Sequence, residues 1–108
     1  MMKVQNLINA RGNANANQFI ITDNENNTTY FQSYDSLVCK VEKYPKMKIT
    51  FGCDWDYSNT TMKHLYTFLA DEWINLANGK DVRKAIKNGH CFSKNGTQFD
   101  VVYDENMR

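Results

Sequence analysis

The sequence predicts an α+β fold, in which a small antiparallel sheet of about five strands packs on one long amphipathic helix, with a short second helix. The stretch from Tyr57 to Asn78 has apolar residues at steps of three and four, the period of a helix that buries one side. Shorter stretches rich in β-branched and aromatic residues surround it and would cover its apolar side. That side carries Met62, Leu65, Tyr66, Leu69, Trp73, Leu76 and Ala77.

Composition limits the class of protein. A length of 108 residues fits a single domain, and a net charge of +1 gives no overall preference for nucleic acid or acidic membranes. No apolar run is long enough for a signal peptide or a membrane span, so we expect a cytoplasmic protein. Cys39, Cys53 and Cys91 are odd in number and lack CxxC spacing, which predicts reduced thiols and no metal site.

The first half of the chain is predicted to form strands. Residues 1–17 are rich in Asn, which favours turns, and are expected to be a loosely docked segment. Residues 19–22 and 28–34 favour a β-hairpin around the polar turn at 23–27. Residues 36–42 alternate like a half-buried strand, although a helix from residue 33 also fits the pattern.

The second half supplies the helices. A strand is predicted for residues 46–51, and Ser58 is the predicted N-cap of the central helix, which runs to about Ala77. A short helix is expected from about residue 80 to Asn88, followed by a loop at 91–96. The last strand is predicted at residues 98–103, and residues 104–108 are expected to form a frayed tail.

Two separated motifs carry a resemblance. FQSYDSLV begins at Phe31, and WDYSNTTMKH begins at Trp55 and is followed by Phe68-Leu69. This SY…YS.TT.KH…FL pattern resembles a family of small uncharacterised proteins of bacteriophages and mobile elements, over roughly residues 19–70. Cys39 and the Asn-rich start depart from that pattern. The resemblance implies a viral or mobile-element origin and a sheet-then-helix layout, and it transfers no catalytic residue.

The predicted second helix carries the clearest charge pattern. Four cations lie at steps of three, one and three, so they share one helix face. They are Lys80, Arg83, Lys84 and Lys87. Such a face is commonly only solvated, and the alternative is contact with nucleic acid or with an acidic protein surface.

The connector before the central helix is rich in aromatic and acidic residues. Trp55 and Tyr57 are candidate contacts for a protein partner or for a base. Asp54 and Asp56 are too few for a convincing divalent-cation site, and Ser58 is better explained by capping than by anion binding.

No group of residues forms a catalytic set in the sequence. His90 and Cys91 are neighbours, a spacing that does not usually give the geometry of a Cys-His dyad. We therefore expect a non-enzymatic bacteriophage accessory protein without cofactor, which binds and inhibits or redirects a host macromolecule, for example as an anti-defence inhibitor. The expected partner is a host protein or a protein–nucleic-acid complex, and a homodimer is compatible with the sequence. The alternative is a small nucleic-acid-binding protein that uses the basic helix face and exposed aromatics.

Overall fold

The computed structural model describes residues 2–8, 12 and 14–108. These residues form seven strands and two helices. The elements are β1 (Met2–Ile8), β2 (Ala14–Asp23), β3 (Thr28–Ser33), β4 (Ser36–Glu42), β5 (Lys48–Gly52), α1 (Asn59–Asp71), α2 (Gly79–Asn88), β6 (His90–Phe92) and β7 (Gln98–Asp104).

All seven strands belong to one mixed sheet with the order β1-β2-β3-β4-β5-β7-β6. Strands β1 to β5 form an antiparallel meander. The chain then passes through both helices and returns, so that β7 pairs with β5 in parallel and with β6 in antiparallel orientation. The long connection is necessary because a parallel pair cannot be joined by a tight turn.

The predicted five-stranded antiparallel sheet on one long helix is wrong. The missed strands are β1, in the segment expected to be a loop, and β6, in the expected loop after α2. The residues of β1 from Met2 to Asn6 pair in register with β2. The strand was missed because hydrogen bonds to this neighbouring strand, and not the local residue preferences, stabilise it. Part of the predicted N-terminal loop, residues 1, 9–11 and 13, lies outside the described residues.

The predicted long helix is also wrong, because α1 ends at Asp71. Trp73 has φ 61°, its N–H donates to the Ala70 carbonyl at 3.0 Å, and the Ile74 N–H donates to the Leu69 carbonyl at 2.9 Å. These bonds form a Schellman motif with Trp73 in the left-handed position. Leu76, which belongs to the predicted apolar side of the helix, is still buried although it lies beyond the end of α1.

Other local predictions are confirmed. The β2–β3 hairpin turns where predicted, and β4 has the predicted bounds, although a bulge at Val38 interrupts its alternation. Ser58 caps α1, since its Oγ accepts from the Thr61 N–H at 3.1 Å. The second helix ends at Gly89 with φ 78°. The three cysteines are free thiols.

The core lies between the helices and one face of the sheet. The Phe31 ring on β3 stacks on the Phe68 ring of α1, with centroids 5.6 Å apart. Val41, Ile49 and Val101 occupy paired positions on β4, β5 and β7 and are also buried. The helix α1 therefore packs on the sheet face that carries these residues, and this packing places the start of α1 near the β3–β4 turn.

The C-terminal segment is anchored rather than free, in contrast to the expected frayed tail. The Cys53 N–H donates to the Met107 carbonyl at 3.2 Å. The same carbonyl oxygen is 2.4 Å from the position that a Cβ on Gly52 would take, so a side chain there would clash with it. The tail thus closes against the end of β5, next to the connector that leads to α1.

No helix in the described part of the chain is both long and apolar enough to cross a membrane.

Candidate binding cleft

The two motifs that are separated in the sequence meet in space. The turn between β3 and β4 lies beside the connector and first turn of α1, and together they border a cleft of about 330 Å³, which we call the motif cleft. It is lined by Ser33, Tyr34, Asp35, Ser36, Val38, Asp54, Tyr57 and Thr61. The sheet order causes this meeting, because β5 runs antiparallel to β4 and therefore delivers the connector to the end where β4 begins.

The β3–β4 turn presents one aromatic ring to solvent. Tyr34 has φ 55°, and its N–H donates to the Asn17 carbonyl at 2.6 Å. The Gln32 Nε2 donates to the Tyr34 carbonyl at 2.7 Å. These backbone contacts hold the residue in the left-handed conformation, which bulky side chains rarely adopt. Its side chain remains 59% exposed at the mouth of the motif cleft.

The hydroxyl groups on the wall formed by α1 bond to one another. The Ser58 Oγ donates to the Thr61 Oγ1 at 3.2 Å while it accepts from the Thr61 N–H. Thr61 Oγ1 is also 3.4 Å from the Ser33 Oγ on β3. This network both caps α1 and ties it to the sheet, so these hydroxyls are already engaged in the folded protein.

The acidic wall comes from the connector and the turn. Asp54 Oδ2 accepts a hydrogen bond from the Ser36 Oγ at 3.0 Å, which joins the two sides of the motif cleft. Asp35 is exposed beside it. Tyr57 follows in the connector with 80% of its side chain exposed, and it forms the second aromatic edge of the motif cleft.

Acidic residues of the connector lie near Tyr103 on β7. Desolvation is the largest cause of the raised pKa of the Tyr103 hydroxyl, and a nearby thiol, Cys53, adds to it. The charges of Asp56, Glu105 and Asp54 raise this pKa further, because they disfavour the phenolate. These carboxylates of the connector and the C-terminal turn therefore lie close enough to the Tyr103 hydroxyl to act on its pKa.

Trp55, predicted as a contact for a partner, is not at the surface. Only 5% of it is exposed, and its ring packs edge-on against Phe51 with centroids 6.3 Å apart. The Arg83 guanidinium lies 5.4 Å from the Trp55 ring centroid, a cation–π distance. Trp55 therefore anchors the connector to the core and to α2, while Tyr57 two residues later remains free for contact.

The predicted basic face exists on α2. Lys80, Arg83, Lys84 and Lys87 are all exposed, whereas Val82 and Ala85 on the opposite side of the helix are buried. Lys84 and the exposed Phe92 line one cavity. Whether this face binds a partner stays a prediction.

His90 and Cys91 do not form a catalytic pair. As consecutive residues of β6 they point to opposite faces of the sheet, so Cys91 is buried and His90 is exposed. Desolvation raises the pKa of the Cys91 thiol to about 11, which leaves very little thiolate at neutral pH. Among the residues that the structure describes, no three His, Cys, Asp or Glu side chains cluster as metal ligands would.

Sequence reasoning named Tyr57 as a contact but did not join it with Tyr34, Asp35 and Ser36 in one site. The available signal was the resemblance itself, because its SY and YS.TT portions supply opposite walls of the motif cleft.

The fold and the cleft together define a class of protein. In this class two short helices cover one face of a mixed sheet, and a polar, aromatic cleft opens at the start of the first helix. The chain belongs to the family of unknown function DUF8033, whose model matches residues 2–89. That range includes both walls of the motif cleft and the basic face of α2. No curated protein and no solved structure matches the chain. The family match carries no statement of source, so the phage or mobile-element origin stays a prediction.

Proposed function

We propose that this protein is a non-enzymatic accessory protein of a bacteriophage or mobile element. It acts in the cytoplasm of the host cell, where it binds a host protein, or a protein–nucleic-acid complex, and inhibits or redirects it. Inhibition of a host defence protein is one form of this function. The motif cleft is the centre of the contact surface.

The observation that carries this proposal is the pair of exposed tyrosines at the motif cleft. Tyr34 and Tyr57 are 59% and 80% exposed, and both border the same concave surface. Tyrosine is among the residues that contribute most to protein interfaces, because its ring buries a large area and its hydroxyl still finds a polar partner. A partner that covers both rings would remove this apolar area from water.

A comparative pull-down tests the proposal. Tagged protein is incubated with lysate of the cells that carry the gene, with and without nuclease treatment, and captured proteins are quantified by mass spectrometry. The Tyr34→Ser/Tyr57→Ser double variant is expected to reduce capture of the specific partner at least about tenfold, the effect of losing interface hot spots. Tyr44→Ser is the matched control, because Tyr44 is 70% exposed but follows the opposite end of β4. The proposal fails if no protein is captured, or if the double variant captures as much as the control.

A second candidate function is nucleic-acid binding through α2. It is favoured by the four exposed cations on one helix face and by the exposed Phe92, which lines one cavity with Lys84 and is suited to base stacking. Binding of labelled single-stranded DNA and RNA should then weaken linearly in a plot of log affinity against log salt concentration.

The charge-reversal variant Lys84→Glu/Lys87→Glu separates the two candidates. These positions are preferred to Arg83, whose guanidinium also packs on Trp55 and whose loss would disturb the core. Weaker nucleic-acid binding with a shallower salt dependence supports the second candidate. Unchanged binding by this variant removes it.

A further inference from the structure

The carboxylates of the motif cleft form no ion pair with the described residues. Neither Asp35 nor Asp54 lies within 4.0 Å of a Lys, Arg or His nitrogen in the part of the chain that the structure describes. Among the described residues, no basic side chain lines the cleft. Ion pairs between described residues occur away from the cleft, for example on Glu42 and Glu72. The negative charge at the cleft is therefore available to a cation from another molecule.

The tyrosines add a second feature that recognises cations. An aromatic face attracts a lysine ammonium or an arginine guanidinium, most strongly where water is partly excluded. A carboxylate beside such a ring adds a charge-assisted hydrogen bond, and two oxygens can accept from one guanidinium. Tyr34 and Tyr57 provide the rings, and Asp35 and Asp54 provide the oxygens, around one cavity.

The partial positive charge at the start of α1 opposes cation binding. Its size must therefore be compared with the negative charge of the cleft carboxylates. A helix N-terminus acts as roughly half a positive charge, confined to the first turn. Ser58 and Thr61 already satisfy amide and hydroxyl groups there, which weakens the attraction for an anion. Asp35 and Asp54 carry two full negative charges at the same cleft. The balance is negative, so the cleft repels a phosphate and attracts a cation.

We propose that the motif cleft binds a lysine or arginine side chain presented by a basic segment of the protein partner. This inference rests on the proposed function and names the chemistry of its partner. The volume of about 330 Å³ is at the lower end of small-molecule sites, which suits the end of one side chain rather than a whole ligand. The exposed tyrosine rings then flank the cation, and the carboxylates accept its N–H groups.

Amide chemical shifts measured by NMR test this assignment directly. The probes are Nα-acetyl-arginine amide and Nα-acetyl-lysine amide, and Nα-acetyl-citrulline amide is the uncharged analogue of the first. We expect saturable shifts at Tyr34, Asp35, Asp54 and Tyr57 with the charged probes, and at least about fivefold weaker binding of the citrulline probe. Equal binding of the arginine and citrulline probes, or shifts located away from the cleft, would overturn the inference.

Matched charge variants supply the second arm. Asp35→Asn/Asp54→Asn should weaken the arginine probe at least about fivefold, while each amide oxygen can still accept a hydrogen bond. Asp71→Asn/Asp100→Asn changes the net charge equally at exposed positions that do not line the cleft, and should have no effect. If both double variants weaken the probe equally, its attraction is general and the inference is wrong.

The two proposals fail differently. If the tyrosine variant loses the partner in the pull-down while the Asp35→Asn/Asp54→Asn variant retains it fully, the cation site is refuted and the proposed function stands. If the arginine probe binds at the cleft but no protein is captured from lysate, the cation site stands and the proposed function fails.

Discussion

Trp73 is the residue at which α1 ends, and its replacement by glycine and by alanine tests that ending. In the structure it has φ 61°, in the left-handed region, two residues beyond Asp71. A continuous helix to about residue 77, as the apolar period predicts, would instead place Trp73 in right-handed helical conformation. Glycine is more stable than alanine in the left-handed conformation, and alanine is more stable than glycine within a helix. The relative stability of the two variants therefore shows which conformation residue 73 adopts.

The magnitude follows from backbone energetics. An L-residue in the left-handed conformation costs about 1–2 kcal/mol, and glycine avoids this cost. Part of that advantage is offset by the greater freedom of glycine in the unfolded chain. Trp73→Gly should therefore be more stable than Trp73→Ala by about 1 kcal/mol. Both variants lose the same contact, the Lys94 Nζ 5.8 Å from the indole ring, so that contact cancels in the comparison.

Urea unfolding monitored by circular dichroism measures the difference, with thermal unfolding as a second readout. A difference of 1 kcal/mol corresponds to about 4–8 °C in melting temperature for a domain of this size. Ala70→Gly is the control, because Ala70 is exposed and within α1, where glycine should cost up to about 1 kcal/mol. If Trp73→Ala is the more stable variant, as it would be within a helix, the left-handed end of α1 is refuted.

Two further predictions concern the core and the thiols. Gly52→Ala should destabilise the protein by about 1–3 kcal/mol, because the new Cβ would lie 2.4 Å from the Met107 carbonyl oxygen. Urea unfolding measures this change, and an unchanged unfolding midpoint would contradict the docked tail. Alkylation by iodoacetamide at pH 8, followed by mass spectrometry, should modify the partly exposed Cys53 faster than the buried Cys91, whose pKa is raised to about 11. Equal labelling of the two thiols in the folded protein would contradict the burial of Cys91.

Elements with a local cause were predictable. The bounds of β4, the capping hydroxyl of Ser58 and the glycine that ends α2 at Gly89 each depend on a few neighbouring residues, and the structure confirms them. The basic face of α2 is likewise confirmed as an exposed stripe, because helical spacing alone places those cations together.

Elements with a distant cause were not predictable. Strand β1 exists because β2 offers hydrogen bonds along its edge, and the three residues of β6 form a strand only beside β7. The burial of Trp55 depends on Phe51 and Arg83, which come from β5 and α2. None of these contacts has a signal in the local sequence of the residue concerned.

The sequence by itself determined the β2–β3 hairpin, the cap of α1 at Ser58 and the face on which α2 carries its charge, because propensity and periodicity act over a few residues. Only the tertiary structure decided the seven-stranded order, the end of α1 at a left-handed Trp73, and the cleft between Tyr34 and Tyr57. The physical reason is that hydrogen bonds between strands, and the packing of one motif against another, join residues that lie far apart in the chain.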